Sequence, residues 1–166
     1  MNGYRTKEKR PSNIGEFKIP LGVPEIVKEG TDLTMVSYGS TFNLCEIAAK
    51  QLLELGINVE LIDVQTLLPF DINHMIVDSL SKTNRLMIVD EDVSSGATGF
   101  MLDKILVEQN GYYHLDSAPV TLSAKDHRPA YSTDGDYFSK PSIDDIVEKA
   151  YAIMHEANPN AFPSLY

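Results

Sequence analysis

Four short apolar runs punctuate the chain at spaced intervals, and a stretch of different periodicity follows each. The runs are "LTMVS" (33–37), "NVELIDV" (58–64), "RLMIVD" (85–90) and "APVTLSA" (118–124). All are too short for a core helix and are bounded by turn formers, so each reads as a buried strand. Behind the first, "YGST" turns the chain into a helix from about Thr41 to Leu55. Its buried stripe is Leu44, Cys45, Ala48, Ala49, Leu52 and Leu55, and Gly56 stops it. Behind the second, "QTLLPFD" leads to a helix that Asp71 can cap and that carries Ile72, Met75, Ile76 and Leu80. "DEDVSSGATGF" follows the third, and then a helix over 101–109 with Leu102, Ile105 and Leu106 inward. "KDHRPAYSTDGDYFSKP" follows the fourth as a long, turn-rich loop, and loops of that length usually carry function or move. Ser142 with Asp145 then makes a capping box for a last helix, whose face is Ile143, Ile146, Val147, Ala150 and Met154. Repeated alternation of this kind predicts parallel strands with helices on both faces, an α/β fold in three layers, α/β/α.

The expected organisation is a tail or linker over 1–17, one domain over 18–156 and a C-terminal tail over 157–166. A chain of 166 residues supports one core. "KIPLGVPEIVKEGTD" enters it as an extended, Pro- and Gly-punctuated lead-in. No apolar run approaches the roughly 20 residues that cross a bilayer. The polar stretch "MNGYRTKEKRPSNIGEF" offers no secretory apolar region, and Cys45 is the only cysteine, so an internal disulfide is impossible. Both features point to the cytoplasm. Cys45 itself reads as a small buried hydrophobe.

Charge is uneven. The net value is −10, but residues 1–10 hold Arg5, Lys7, Lys9 and Arg10 against Glu8. The other 156 residues therefore carry 10 basic and 23 acidic side chains, a body at −13. Such a surface repels nucleic acid and anionic membranes and attracts a basic protein, besides keeping the domain soluble.

Ligands of parallel sheets sit beyond the carboxyl ends of the strands. That places "SYGST", "DVQTLLPFD" and "DEDVSSGATG" on one rim. The rim lacks G-x-G-x-x-G after the first strand, and G-x-x-x-x-G-K-[ST] occurs nowhere. A helix N-terminus offers an anion about 0.3–1 kcal/mol at the surface. One carboxylate at ~4 Å costs about 1 kcal/mol in water and more where partly buried. Asp90, Glu91 and Asp92 therefore disfavour a phosphate beside Gly96 and Gly99, which read as permissive backbone. The same carboxylates alternate sides along an extended segment and lack the spacing of a calcium loop. His74, His114, His127 and His155 are scattered, with no H-E-x-x-H pair. His127 stands out only through its neighbour Arg128 in the long loop, a pair that suits catalysis, substrate binding or an interface. These residues by themselves leave an acidic α/β domain with a decorated rim.

In order along the chain, "IGEFKIPLGVPEIVKEGTDLTMVSYGST", "GINVELIDVQTLLPFD", "TNRLMIVDED…GATGFM" and "SAPVTLSAKDHRPA" resemble the transketolase C-terminal domain. More closely they resemble the end of the β subunit of thiamine-diphosphate 2-oxoacid dehydrogenases of the pyruvate and branched-chain type, over about residues 14–155. The resemblance implies a mixed sheet of about five strands, mostly parallel, with one antiparallel. It implies a parent enzyme that uses thiamine diphosphate and Mg²⁺ to decarboxylate a 2-oxoacid and acylate lipoyl groups. In that family the diphosphate is held through a G-D-G…N signature in another domain; "DGDY" at 134–137 is not that signature. No catalytic, cofactor-binding or metal residue is therefore expected in this chain, which should not be active alone. The resemblance further implies dimer contacts, in a homodimer or an αβ heterotetramer, and part of the substrate-entrance wall. It also implies a docking surface for the basic subunit-binding domain of the dihydrolipoyl acyltransferase. Tyr38, Glu91, Asp92, His127 and Arg128 are the candidate rim and partner-binding residues. The competing readings are a stand-alone small-molecule or anion-binding α/β enzyme, and a substrate-phosphate role for which Arg128 is the candidate cation.

Overall fold

The computed structural model describes residues 7, 9, 10, 12–128, 131 and 133–164, with only the backbone of residues 133, 134 and 136. Its centre is a five-stranded sheet in the order β1-β3-β2-β4-β5, built from β1 (Glu25–Lys28), β2 (Leu33–Ser37), β3 (Val59–Asp63), β4 (Leu86–Val93) and β5 (Val120–Ala124). β2, β3, β4 and β5 run parallel, while β1 lies antiparallel on β3 with Ile26 opposite Ile62. The lead-in thus supplies the antiparallel edge strand that the family resemblance implies.

β2 is buried at every residue because helices cover both faces of the sheet, and its side chains divide by the period of two. Leu33 and Met35 join one cluster with Phe42, Cys45, Ala48 and Leu52 of α1 (Gly39–Glu54) and Ile146, Ala150 and Met154 of α5 (Ile143–Ala157). Val36 joins the other, with Ile76 and Leu80 of α2 (Met75–Thr83) and Met101 of α3 (Ala97–Leu102). α3 runs on as a π-helical turn over Asp103–Glu108, which ends with Gln109 N–H donating to the Lys104 carbonyl at 3.0 Å.

Several boundaries differ from those read in the sequence. α1 begins at Gly39, whose φ of +62° swings the chain out of β2; Phe42 joins its buried face, and Leu55 is exposed beyond its end. Asp71 does cap α2, accepting from Met75 N–H and Ile76 N–H at 2.9 Å each, but from a turn ahead of the helix. Ile72 therefore precedes α2 and is 55% exposed instead of facing inward. β4 continues through Val93, so the three carboxylates lie in a strand, and the helix after it starts at Ala97 instead of 101. The long loop contains a helix, α4 (Thr133–Ser139). Ser142 and Asp145 form the expected reciprocal cap at the start of α5. After α5, Tyr151 Oη donates to the Pro163 carbonyl at 3.0 Å and its ring meets Phe162 edge-on, so the last described residues fold back on the helix. Among the described residues, no helix is long and apolar enough to cross a membrane.

At the lower end of the strands Gly30 passes so close to β3 that an added Cβ would sit 2.2 Å from Glu60 N and from the Val59 carbonyl carbon. Its N–H donates to Glu60 Oε2 at 3.0 Å, and the same carboxylate is paired with Lys82. Beside them Thr34 Oγ1 lies 2.6 Å from both Ser79 Oγ and Thr83 Oγ1, so α2 is fastened to the sheet by a buried polar network.

Candidate functional site

The upper rim of the sheet carries a cleft of about 340 Å³ between the end of β2 and the end of β4. Tyr38, Gly39, Ser40 and Thr41 line one side, Asp90, Glu91 and Asp92 the other, and Lys140 reaches in from beyond α4. The strands bring the two sides together: Ser37 Oγ donates to the Val89 carbonyl at 2.9 Å, which fixes β2 against β4 just below the cleft.

Each carboxylate here already has a donor. Tyr38 Oη donates to Asp90 Oδ2 at 3.1 Å, and Glu91 N–H donates to Asp90 Oδ1 at 2.7 Å. Ser40 Oγ donates to Glu91 Oε1 at 2.9 Å while Lys140 Nζ holds Oε2 at 3.0 Å. Asp92 Oδ1 accepts from Val93 N–H at 2.8 Å. Burial, then the charge of Asp90 and its hydrogen bond, push the Tyr38 hydroxyl up to about 12, so near neutrality it is a fixed donor and not a base. Burial also pushes Glu91 upward, but the hydrogen bonds from Lys140 and Ser40 outweigh it and hold that carboxyl below its ordinary range. The cleft is thus an acidic concavity in which each carboxylate already accepts at least one hydrogen bond.

That chemistry suits some ligands and not others. A phosphate or diphosphate would meet three carboxylates, with the one lysine lining the cleft bound to Glu91. Asp92 Oδ2 also lies 3.0 Å from where a Cβ on Gly96 would stand, so a carboxylate occupies the mouth of the glycine turn. No group of three or more His, Cys, Asp or Glu side chains among the described residues is placed to hold a metal ion. The residues lining this cleft therefore do not fit a diphosphate and its Mg²⁺. A cationic surface from another protein suits the charge.

The sequence-derived candidates divide into two sets. Tyr38, Glu91 and Asp92 come together in the cleft, whereas His127 and Arg128 do not line it. His127 Nδ1 lies 3.0 Å from the Arg128 carbonyl, and its ring stands 5.6 Å from Phe138. Arg128 donates to Tyr131 Oη at 3.0 Å, and its guanidinium lies 5.8 Å over that ring. Both side chains are exposed and serve their own loop. Sequence reasoning missed Ser40 and Lys140. The available signal for Lys140 was modest: it is the single basic residue between Arg128 and Pro141. Cys45 lies in the core, where burial pushes its thiol up to about 12 despite a hydrogen bond with Ser37, so it is an inert hydrophobe.

Comparison with known proteins extends this picture. The family model described as transketolase, C-terminal domain, matches residues 22–146. The pyruvate dehydrogenase E1 component subunit beta of Acholeplasma laidlawii is 36% identical over 124 residues, 74% of this chain and 37% of that protein. Its counterpart in Mesostigma viride is 33% identical over 152 residues, 91% of this chain and 45% of that one. The mitochondrial 2-oxoisovalerate dehydrogenase subunit beta of Chaetomium thermophilum is 32% identical over 139 residues, 83% of this chain and 29% of that protein. The chain thus spans less than half the length of these relatives. Among solved structures, one described as split gene transketolase, inactive beta4 tetramer, shares the fold with a TM-score of 0.68 at 22% identity, over 86% of this chain and 46% of that one.

Proposed function

The chain belongs to the transketolase C-terminal domain family, and from that premise we propose that it serves assembly and docking in a thiamine-diphosphate-dependent 2-oxoacid dehydrogenase of the pyruvate or branched-chain type. The observation that carries the reading is similarity over 74–91% of the chain to β subunits of pyruvate and 2-oxoisovalerate dehydrogenases. In the working enzyme, other domains hold thiamine diphosphate and Mg²⁺. The whole protein decarboxylates a 2-oxoacid and acylates lipoyl groups, in the cytoplasm. The part played by this chain is structural. It joins a homodimer or αβ heterotetramer, forms part of the substrate-entrance wall, and presents an acidic surface to the basic subunit-binding domain of the dihydrolipoyl acyltransferase.

Electrostatics support that assignment. A body at −13 steers a basic partner toward itself, and nucleic acid and anionic membranes away. Tyr38 and Ser40 fix the carboxylates of Asp90 and Glu91, and the Val93 N–H fixes that of Asp92, so a cationic side chain entering the cleft meets carboxylates that need little reorganisation.

Calorimetric titration with the basic subunit-binding domain tests the reading. Binding should be tight at low ionic strength and weaken steeply as salt is added. No binding at low salt would sink the docking role. Thermal stabilisation by nucleotides or phosphate esters would instead favour a stand-alone anion-binding domain.

A further inference from the structure

Gly111 sits where a side chain would collide. It is buried at the start of a 3₁₀ turn over Gly111–His114, and an added Cβ would stand 2.7 Å from the Ile105 carbonyl oxygen and 3.3 Å from Leu80 Cδ1. That close approach seats the turn between the π-helical stretch and α2. The residue before it enters the turn in the left-handed region, at φ +62° and ψ +22°, and Asn is among the few side chains that tolerate this conformation. Tyr113 N–H closes the turn by donating to the Asn110 carbonyl at 3.3 Å. Packing and backbone geometry thus select Asn followed by Gly.

That pair carries a chemical consequence. The nitrogen of a glycine is the least shielded of all for attack on a preceding asparagine side chain, because no Cβ stands beside it. A bond forms between Gly111 N and Asn110 Cγ, the amide proton passes to water or hydroxide, and the bond from Cγ to its own nitrogen breaks to release ammonia. Water then adds to either carbonyl of the five-membered imide. Opening one C–N bond leaves an aspartate at position 110, and opening the other leaves an isoaspartate, whose main chain runs through the side-chain carbon. Asn110 is exposed, so water reaches it. At a ψ of +22°, however, the Gly111 nitrogen points nearly opposite to the Asn110 side chain, so the ring cannot close until the turn opens.

We propose that Asn110 is a site of spontaneous deamidation and isoaspartate formation which the closed turn holds in check, so that modification follows the opening of this corner of the fold. Either product adds one negative charge. The isoaspartyl form also lengthens the main chain by one carbon just before Gly111 presses against Ile105 and Leu80, so it loosens the contact between α2 and the π-helical stretch. The inference goes beyond the assembly and docking role and does not depend on it.

Peptide mapping by mass spectrometry over a time course at mildly alkaline pH tests the proposal, and it separates Asn110 from the other Asn–Gly pair, Asn2–Gly3. The samples are the folded chain, the chain unfolded in guanidinium chloride, and the variant Tyr113→Pro, which lacks the N–H that closes the turn. Tyr113 is 82% exposed, so the change removes no core packing, and far-UV dichroism checks the fold. Asn110 should convert to aspartate and isoaspartate in the unfolded chain, at least about tenfold more slowly in the folded chain, and at an intermediate rate in the variant. Denaturant below the unfolding transition should speed the folded chain, in step with hydrogen exchange at the Tyr113 N–H. Chains bearing isoaspartate at position 110, separated by ion exchange, should melt below the parent. A folded chain that reacts as fast as the unfolded one, or an unfolded chain that does not react at Asn110, overturns the proposal. Should Tyr113→Pro fail to fold, the denaturant series decides alone: a rate indifferent to denaturant up to the transition removes the gate.

Discussion

Glu60 and Glu91 each pair with a lysine, Lys82 and Lys140, but at opposite ends of the parallel strands. At the lower end Glu60 is 1% exposed, and it also accepts from the backbone of Gly30, which no other residue type could place so near. At the upper end Glu91 is half exposed and answers to a lysine from beyond the late helix. Similar chemistry thus serves two ends. Where the carboxylate is buried, losing a partner strands a charge or a donor in the core, so the pair holds the fold. Where it faces water, solvent replaces a lost partner at little cost, so its value is the potential it presents to something arriving.

The largest test of this contrast is Gly30→Ala. The new Cβ would overlap β3 backbone, which cannot yield as a flexible side chain can. A loss of more than about 4 kcal/mol is expected, or failure to fold, read from urea unfolding. Next comes Glu60→Ala, which leaves the Gly30 N–H without its acceptor and Lys82 with only the exposed Glu29. Because Lys82 is partly exposed, about 2–3 kcal/mol is expected, toward the lower part of the range for broken buried pairs.

The pH dependence of that loss has a definite sign. Burial pushes Glu60 up, but Lys82 and the Gly30 N–H outweigh it and hold the carboxyl below its ordinary 4.5. A depressed carboxyl stabilises the folded state fully above the unfolded value and loses that contribution as pH falls toward the folded one. The gap between the parent chain and Glu60→Ala should therefore be widest near neutrality and narrow below about pH 4.5. A gap that widened on acidification would contradict the pairing.

The upper end was far more legible than the lower one. Tyr38, Glu91 and Asp92 could be placed on a common rim because strand order and the carboxyl-end rule locate loops without knowledge of contacts. The Glu60 network was invisible, because the polar residue in "NVELIDV" looks like the solvent side of a strand and its partner lies 22 residues away on a helix surface. Burial on both faces made β2 readable as an uninterrupted apolar run, and the Ser142–Asp145 box marked α5 because a cap is a local pattern. α4 escaped for the opposite reason. "TDGDYFS" mixes Gly and Asp, both poor helix formers, so tertiary placement decides its conformation and not propensity.

Within the rim, Tyr38→Phe should have the larger effect on stability, about 1 kcal/mol. It removes the hydroxyl from Asp90, which is 3% exposed but keeps the Glu91 N–H as a donor. A loss near that of Glu60→Ala would mean that the rim is as much a folding element as the lower network.

Lys140→Ala should change stability least, by under about 1 kcal/mol, since both partners face solvent. Its informative effects lie elsewhere. Without the lysine, the Glu91 carboxyl should titrate at higher pH than in the parent chain, which a carbon-detected NMR titration can follow. At neutral pH it remains ionised, so the cleft becomes more negative by one charge. If a basic domain docks over this rim, Lys140→Ala should bind it more tightly at low salt and Glu91→Gln more weakly, with the two curves converging as salt rises. The opposite order, or no change in either variant, would move the docking surface away from the cleft, because a charge lining the contact must alter its salt dependence even where it leaves the fold untouched.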